Sequence, residues 1–154
     1  MGQGSEFVVR LPVYESTPSL SVPAPRQTEP KSNSLRVLVV DDNVDAASTL
    51  AMLLKASGHE VRKAHDGPPA LEIALDYRPQ VVLLDIGLPS MNGFEVAKRL
   101  REQPELSSVV LIAMTGYGQD SDREQSRDAG FDHHLVKPAD FSQVREILSA
   151  IKAK

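Results

Sequence analysis

The feature of this sequence that most constrains its fold is a regular alternation of short apolar runs and longer helical stretches, which begins at Arg36. Three runs are nearly continuous and rich in Val, Leu and Ile, at 36–40, 81–84 and 109–114. Such runs are typical of strands buried on both faces, as in a parallel sheet. Weaker strand candidates lie at 59–64 and 133–136. The sequence therefore predicts five strands.

Stretches of helical length separate these strands, at about 43–56, 68–77, 93–102, 119–129 and 141–152. The last is the clearest, because its apolar residues recur at helical spacing on one face: Val144, Ile147, Leu148 and Ile151. Gly58 and Gly130 indicate the ends of the first and fourth helices. Five strand–helix repeats predict an α/β fold with a doubly wound parallel sheet, because right-handed crossovers place helices on both faces.

The chain before this alternation has a different composition. Between Glu15 and Ser34 it contains four prolines and many small polar residues, and it offers too little apolar surface to offset the entropy of ordering. We interpret 15–35 as a Pro/Ser-rich linker. Residues 36–154 are long enough to form a core without disulfides. The absence of cysteine excludes disulfide scaffolds, thiolate zinc sites and cysteine nucleophiles.

Composition also excludes several classes of partner. The sequence has no run of about 18 apolar residues, so no membrane-spanning helix is predicted. A formal net charge of -4 disfavours a broad nucleic-acid surface, which needs basic residues to neutralise phosphates. Residues 1–10 lack the basic start and apolar run of a signal peptide. We expect a cytoplasmic fragment that contacts neither membrane nor nucleic acid.

Polar side chains follow four of the predicted strands: Asp41, Asp42, Asp85, Thr115 and Lys137. Ligands of doubly wound sheets bind beyond the carboxyl ends of the strands, so these side chains are expected to share one site. Taken singly, an aspartate after a strand is usually a helix cap or a turn residue, a threonine a turn hydroxyl, and a lysine a solvated charge. Their joint placement favours a site.

The residue types indicate a phosphoryl site that contains a metal ion. Three neighbouring carboxylates raise one another's pKa unless a cation joins them. Oxygen ligands without cysteine favour Mg²⁺ over zinc or copper. Lys137 and Thr115 suit phosphoryl oxygens. A carboxylate can itself be the nucleophile, and Asp85 is our candidate because the third strand is central and the acidic pair after the first strand would flank it.

Five segments resemble the receiver domain of two-component response regulators: VVDDN at 39–43, LLDIGLP at 83–89, MNG at 91–93, MTGY at 114–117 and LVKP at 135–138. The resemblance covers essentially all of 36–154. It implies a flavodoxin-like (βα)5 sheet of strand order 2-1-3-4-5 with Asp85 as the phosphoacceptor. It assigns Mg²⁺ to Asp42, Asp85 and the backbone carbonyl of Gly87, with Asp41 assisting through water.

The resemblance places Thr115 and Lys137 on the phosphoryl oxygens and implies a cis peptide bond between Lys137 and the following proline. Three residues before the lysine, the family usually has a Tyr or Phe that turns inward on phosphorylation, whereas this sequence has His134. The candidate switch residues are therefore Thr115, His134 and Tyr117. A metal site at His133 and His134 is disfavoured, because adjacent strand residues point to opposite faces.

The fourth helical stretch, 119–129, has almost no apolar face. A helix of this kind is weakly held by packing, which suits a switch element and equally a merely solvated helix. Both interpretations remain open.

These features predict a phosphoacceptor that takes a phosphoryl group from a histidine kinase or a histidine phosphotransfer partner onto Asp85. Such a domain is not a stand-alone enzyme, since it catalyses only its own phosphorylation and dephosphorylation. A pseudo-receiver that binds partners without phosphorylation is one alternative. An aspartate-based phosphatase of the haloacid dehalogenase type is another, but that family has a second aspartate where this chain has Gly87.

Residues 1–14 carry a second resemblance. The segment GQGSEFVVRLPV at 2–13 looks like the closing strand of a histidine kinase ATP-binding domain, although GSEF alone is also compatible with a cloning scar. The chain is therefore expected to be the C-terminal receiver of a hybrid sensor histidine kinase, whose parent kinase could be anchored in a membrane.

Overall fold

The structure, a computed structural model, describes residues 34–116 and 120–152, and the side chains of 120–122 are outside that description. The kinase-like strand at 1–14 and the switch candidate Tyr117 lie outside the described residues. The same holds for the linker at 15–35, apart from its last two residues.

Strands and helices alternate along the described chain as the sequence predicts. The elements are β1 (Arg36–Val40), α1 (Val44–Ala56), β2 (Glu60–Ala64), α2 (Gly67–Tyr77), β3 (Val81–Asp85), α3 (Gly93–Glu102), β4 (Val110–Thr115), α4 (Asp120–Ala129), β5 (His133–Val136) and α5 (Phe141–Lys152). A short 3-10 helix at Pro104–Leu106, between α3 and β4, was not predicted.

The five strands form one sheet in the order β2-β1-β3-β4-β5, with every neighbouring pair parallel. This confirms the doubly wound fold and the strand order. All five residues of β3, the central strand, are buried. Its continuous apolar run is explained by helices that cover both faces of the sheet.

Two apolar cores lie on opposite faces of the sheet. One joins Leu84 of β3 and Ala113 of β4 to α2, α3 and Ala129 of α4. The other joins Leu83 and Met114 of the same strands to α1 and α5. Full burial of a leucine side chain contributes roughly 1.5–3 kcal/mol, so the two cores together fix the strand ends relative to one another.

Local signals set the ends of the helices. Asn43 caps α1 by accepting a hydrogen bond from the Ala46 N–H, and Asn92 caps α3 in the same way. Gly58 and Gly130 follow α1 and α4 with φ of 91° and 95°, which confirms the predicted ends because other residues rarely adopt such angles. None of the described helices has the length and apolar character needed to cross a bilayer.

The start of α3 is pressed against the end of β3. A Cβ atom built on Gly93 would lie 2.5 Å from the carbonyl oxygen of Asp85 and 2.7 Å from Cα of Ile86. Both neighbours are backbone atoms, which have little room to move. Glycine is therefore required for α3 to begin this close to Asp85.

Candidate functional site

The carboxyl ends of the strands bring the predicted site residues to one edge of the sheet. Asp85 and Thr115 are the last residues of β3 and β4, while Asp41 and Lys137 directly follow β1 and β5. Asp41, Asp85 and Thr115 are buried although they are polar. Burial of such groups is costly unless partners compensate for the lost water, so their contacts indicate what the site does.

Three carboxylates form a cluster at this edge. One oxygen each from Asp41, Asp42 and Asp85 lies within 4.8 Å of the other two, and this is the one group of potential metal ligands found in the described residues. Its ligands are oxygens only, as Mg²⁺ prefers. The donor set therefore fits Mg²⁺, while the Gly87 carbonyl remains a predicted ligand.

Lys137 is the cation nearest to this cluster. Its Nζ donates to Oδ2 of Asp41 at 2.8 Å and to Oδ2 of Asp85 at 2.9 Å. Burial alone would lower the pKa of Lys137, but the hydrogen bonds and charges of the two aspartates raise it above its ordinary value. Lys137 is therefore held in its charged form. The peptide bond between Lys137 and Pro138 is cis, as the resemblance implied.

Asp42, the third member of the cluster, has a pKa above its ordinary value. Its pKa is raised, first by burial, then by hydrogen bonding to Asp85 and by the charges of Asp85 and Asp41, while Lys137 acts in the opposite direction. Since a raised pKa means that the carboxylate form is disfavoured here, the cluster has room for a further positive charge.

The Asp85 carboxylate is held in one orientation. Its Oδ1 accepts the backbone N–H of Gly87 at 2.9 Å, and its Oδ2 accepts Nζ of Lys137. Asp41 is fixed similarly, because its Oδ1 accepts the N–H of Asn43. Both side chains are thus aligned before any ligand arrives, which is the arrangement that reactive groups require.

A cavity of about 690 Å³ opens beside this cluster. Asp41 and Lys137 line this cavity together with Leu50 and Leu53 of α1 and Phe141 of α5. The cavity gives a side chain from another molecule a path to the carboxylates along a largely apolar surface.

Thr115 has a partner that sequence reasoning did not identify. Its Oγ1 lies 3.1 Å from Nε2 of His134, whose Nδ1 lies 3.4 Å from Oγ of Ser126 on α4. His134 is half-buried and His133 is exposed, as expected for neighbours on a strand. Ser126 lies in the polar helix α4, and nothing in the sequence distinguishes it from the other polar residues of that helix.

A family model for the response regulator receiver domain matches residues 37–149, a range that contains every site residue named above and all of the sheet and helices except Arg36 and the last turn of α5. The chain belongs to the response regulator receiver family. It is therefore a receiver domain of two-component systems, and receiver domains generally bind Mg²⁺ at an acidic pocket.

Curated relatives of this receiver include whole proteins of similar size. The chain is 32% identical to Protein PilH of Pseudomonas aeruginosa over 118 residues, which cover 77% of this chain and 98% of PilH. It is 33% identical to the polar-differentiation response regulator DivK of Brucella anthropi over 114 residues, which cover 74% and 93%. The match to the transcriptional regulator RpaA of Synechocystis, at 32% identity, covers 77% of this chain but only 48% of RpaA.

Solved receiver structures superpose on this one. The chemotaxis protein CheY4 of Vibrio cholerae has a TM-score of 0.73 and 28% identity, covering 76% of this chain and 98% of CheY4. The REC domain of AraT, a response regulator from Geobacillus stearothermophilus, has a TM-score of 0.68 and 30% identity, covering 77% and 93%. These structures are independent support for the receiver fold.

Proposed function

We propose that this receiver takes a phosphoryl group from a phosphohistidine onto Asp85, with Mg²⁺ held by the neighbouring carboxylates. The observation that carries the proposal is the shared position of Asp85, Asp41, Asp42 and Lys137 at one edge of the sheet. A pseudo-receiver has no need for a cluster of like charges in which Asp41 and Asp85 are buried.

In the proposed reaction, a carboxylate oxygen of Asp85 attacks phosphorus in line with the phosphohistidine nitrogen. A P–O bond forms, the P–N bond breaks, and the electron pair returns to the donor imidazole, which takes up a proton. Charge then develops on the equatorial phosphoryl oxygens. Lys137 is already within 2.9 Å of Asp85 and is the protein cation that we assign to these oxygens.

Mg²⁺ would be held by Asp42 and Asp85, with the Gly87 carbonyl as a third ligand and Asp41 acting through water. When bound, it would neutralise the carboxylates and the incoming phosphoryl group. Thr115 supplies a hydroxyl donor from the end of β4, and its burial leaves that donor few competing partners. Tyr117 keeps its predicted place as a switch candidate.

The phosphodonor is proposed to be a histidine kinase or a histidine phosphotransfer protein. The apolar walls of the cavity beside Asp41 support a protein donor, because a small phosphodonor gains nothing from them. Leu53 and Met52 are both exposed on α1, but only Leu53 lines the cavity.

Leu53→Lys is therefore expected to slow phosphotransfer from a phosphohistidine protein while leaving phosphorylation by acetyl phosphate unchanged. Met52→Lys is the matched control, since it adds the same charge outside the cavity. Equal transfer rates in the two variants would contradict the docking role of the cavity.

The central test is incubation with acetyl phosphate and Mg²⁺, followed by intact-mass measurement. We expect one added phosphoryl mass in the unchanged chain and in Asp76→Asn, an exposed control on α2. We expect none in Asp85→Asn or when Mg²⁺ is chelated. An Asp85→Asn protein that still gained the mass would exclude Asp85 as the acceptor, and an unchanged chain without it would favour the pseudo-receiver.

We further propose that the parent chain is a hybrid histidine kinase. Support comes from the kinase-like segment at 2–13 and the proline-rich stretch that follows it. The sequence of the complete chromosomal reading frame tests this proposal, which predicts a kinase ATP-binding domain directly before residue 1.

A further inference from the structure

The turn between β2 and α2, residues 65–66, reaches the carboxylate cluster from a strand that carries none of its members. Nδ1 of His65 lies 3.0 Å from the carbonyl oxygen of Asp41. A carbonyl oxygen only accepts, so the imidazole nitrogen at this contact donates. His65 is half-buried and Asp41 is buried, which limits competition from water. A histidine that was not among the predicted site residues thus contacts the main chain of one of them.

This contact continues the pairing of β1 with β2 beyond the ends of the two strands. The last register pair is Val40 with Ala64, and the Asp41 N–H then donates to the Ala64 carbonyl at 3.1 Å. The Asp41 carbonyl follows, and the side chain of His65 donates to it. A buried backbone carbonyl without a partner is costly, so the imidazole compensates for the end of the backbone ladder.

The hydrogen bond from His65 fixes the main chain of Asp42. Asp42 is the exposed member of the cluster, whereas Asp41 and Asp85 are buried. The Asp41 carbonyl and the Asp42 N–H belong to one planar peptide unit, and His65 holds its oxygen. The following peptide unit is held as well, because the Asn43 N–H donates to Oδ1 of Asp41 at 2.9 Å. Together the two units set the direction in which the Asp42 side chain leaves the backbone.

The turn that carries His65 is itself held in place. Asp66 caps α2 by accepting the Gly67 N–H, and its other carboxylate oxygen accepts the hydroxyl of Ser90 from the segment after β3. Gly67 packs closely against that segment, since a Cβ atom built on it would lie 2.8 Å from Cβ of Met91. The imidazole is therefore presented from a fixed support, which alignment of a metal ligand requires.

We propose that His65 is a positioning residue for the divalent cation, and that it aligns the Asp42 carboxylate with Asp85 by holding the Asp41 carbonyl. This inference rests on the proposed function, because it concerns the same Mg²⁺ site. It adds a residue that the receiver resemblance did not assign and that acts through the main chain. Replacement of such a partner of a metal ligand typically weakens metal binding by about 10- to 100-fold.

The test measures metal affinity without a phosphodonor. Mn²⁺, which suits the same oxygen ligands as Mg²⁺, is added to the complete chain at pH 8. The electron paramagnetic resonance signal of free Mn²⁺ gives the bound fraction, and Mg²⁺ is then added as a competitor. An ordinary imidazole is neutral at this pH, so replacement of a histidine removes its hydrogen bond without removing a charge.

Three variants separate the hydrogen bond from the size of the side chain. His65→Asn keeps an amide N–H near the Nδ1 position, His65→Gln carries its amide near the Nε2 position, and His65→Leu carries none. We expect the His65→Asn protein to bind Mn²⁺ nearly as tightly as the unchanged chain, and the other two to bind it about tenfold more weakly. His133→Leu, at an exposed histidine of β5, is the matched control and is expected to bind Mn²⁺ like the unchanged chain.

A purely structural role of His65 gives a different result. Such a histidine would lower the urea midpoint of unfolding in the metal-free variants and leave the Mn²⁺ affinity of the folded protein unchanged. Two outcomes would therefore overturn the proposal: a His65→Leu protein that binds Mn²⁺ as tightly as the unchanged chain, or a His65→Asn protein that binds it as weakly as His65→Leu.

Phosphorylation by acetyl phosphate separates this inference from the function on which it rests. The Mg²⁺ concentration that gives half of the maximal rate is expected to rise about tenfold in His65→Leu, while the rate at saturating Mg²⁺ changes little. An unchanged chain that gains no phosphoryl mass at any Mg²⁺ concentration fails the proposed function. An unchanged chain and a His65→Leu protein that gain it with the same Mg²⁺ dependence fail the positioning role alone.

Discussion

The two ends of the parallel sheet differ in how their polar groups are paired. At the amino ends of the strands, the Leu35 N–H donates to Nδ1 of His59, and the Arg36 guanidinium donates to the carbonyl of Arg78. Both of these donors meet an acceptor. At the carboxyl ends, three carboxylates share one lysine, and burial together with the neighbouring carboxylates raises the pKa of Asp42.

The comparison separates polar groups that stabilise this receiver, at the amino ends of the strands, from polar groups available for chemistry, at the carboxyl ends. Paired polar groups cost little and contribute to the fold. Unbalanced carboxylates at the other end weaken the fold and favour a cation, which the proposed function requires before a phosphoryl group can join them. Substitutions at the amino ends are therefore expected to change stability alone, whereas those at the carboxyl ends change stability and chemistry together.

The largest expected effect is that of Lys137→Met, which keeps the apolar stem and removes the charge. Removal of one partner from a buried ion pair costs about 3 kcal/mol of unfolding free energy. We expect a loss of this order in urea denaturation without divalent ions, partly recovered by Mg²⁺. Arg36→Met at the other end is the control, and we expect it to lose less than about 1 kcal/mol and to be indifferent to Mg²⁺. Equal losses of unfolding free energy in the two variants would contradict the proposed difference between the two ends of the sheet.

Gly93→Ala is expected to cost about 1–3 kcal/mol, because the added methyl group overlaps the backbone of Asp85 and Ile86. Phosphorylation by acetyl phosphate should slow as well, since Asp85 is displaced. Gly116→Ala tests whether this is a general glycine effect, because its Cβ would meet nothing within 4 Å. A similar loss of stability in both variants would show that backbone freedom, and not the close approach, is responsible.

Asp42→Asn is expected to produce a smaller effect of opposite sign on stability. Because the charged form of Asp42 is disfavoured in the folded protein, its removal should raise the thermal unfolding midpoint slightly when Mg²⁺ is absent. The same variant should lose most of the stabilisation that Mg²⁺ gives to the unchanged chain. A lower midpoint in the absence of Mg²⁺ would contradict the proposed charge imbalance.

The smallest expected effect is the pH dependence that His59, at the amino ends of the strands, gives to the free energy of unfolding. Burial, together with the charge of Lys152, lowers the pKa of His59 below its ordinary value of 6.5. The unfolded chain therefore binds the proton more readily, so this contribution to stability is full above pH 6.5 and is lost as pH falls below it. His59→Asn, which keeps an acceptor for the Leu35 N–H, should remove this part of the dependence in urea denaturation at pH 7 and pH 5.

The sequence predicted the strands and the position of the site where a residue type has a single structural interpretation. The continuous apolar run of 81–84 predicted a strand buried on both faces, and the polar residues after four of the strands predicted the edge at which the site lies. The structure adds that Asp85 and Thr115 are themselves the last residues of β3 and β4. Strand ends are harder to predict, because a buried polar residue interrupts the apolar pattern before the backbone pairing ends.

Contacts between distant segments could not be predicted. Arg101 of α3 donates to the carbonyls of Val109 and Gly130 and to the carboxylate of Asp132, and so joins α3, β4 and the turn before β5. In the sequence, an arginine in the last turn of a helix that makes such contacts cannot be distinguished from one that is solvated. Ser126 is a similar case, since no apolar pattern shows which side of α4 faces the sheet.

The close packing of Gly93 against the Asp85 carbonyl affects how this receiver would accommodate a phosphoryl group on Asp85. If the proposed acceptor side chain becomes larger and more negative, its own main chain has no space to retreat, because the first residue of α3 already occupies it. The first displacement is therefore expected in the turn that carries Lys137, whose Nζ contacts Asp85. A single hydrogen-sized side chain would thus help to determine in which direction a signal leaves Asp85.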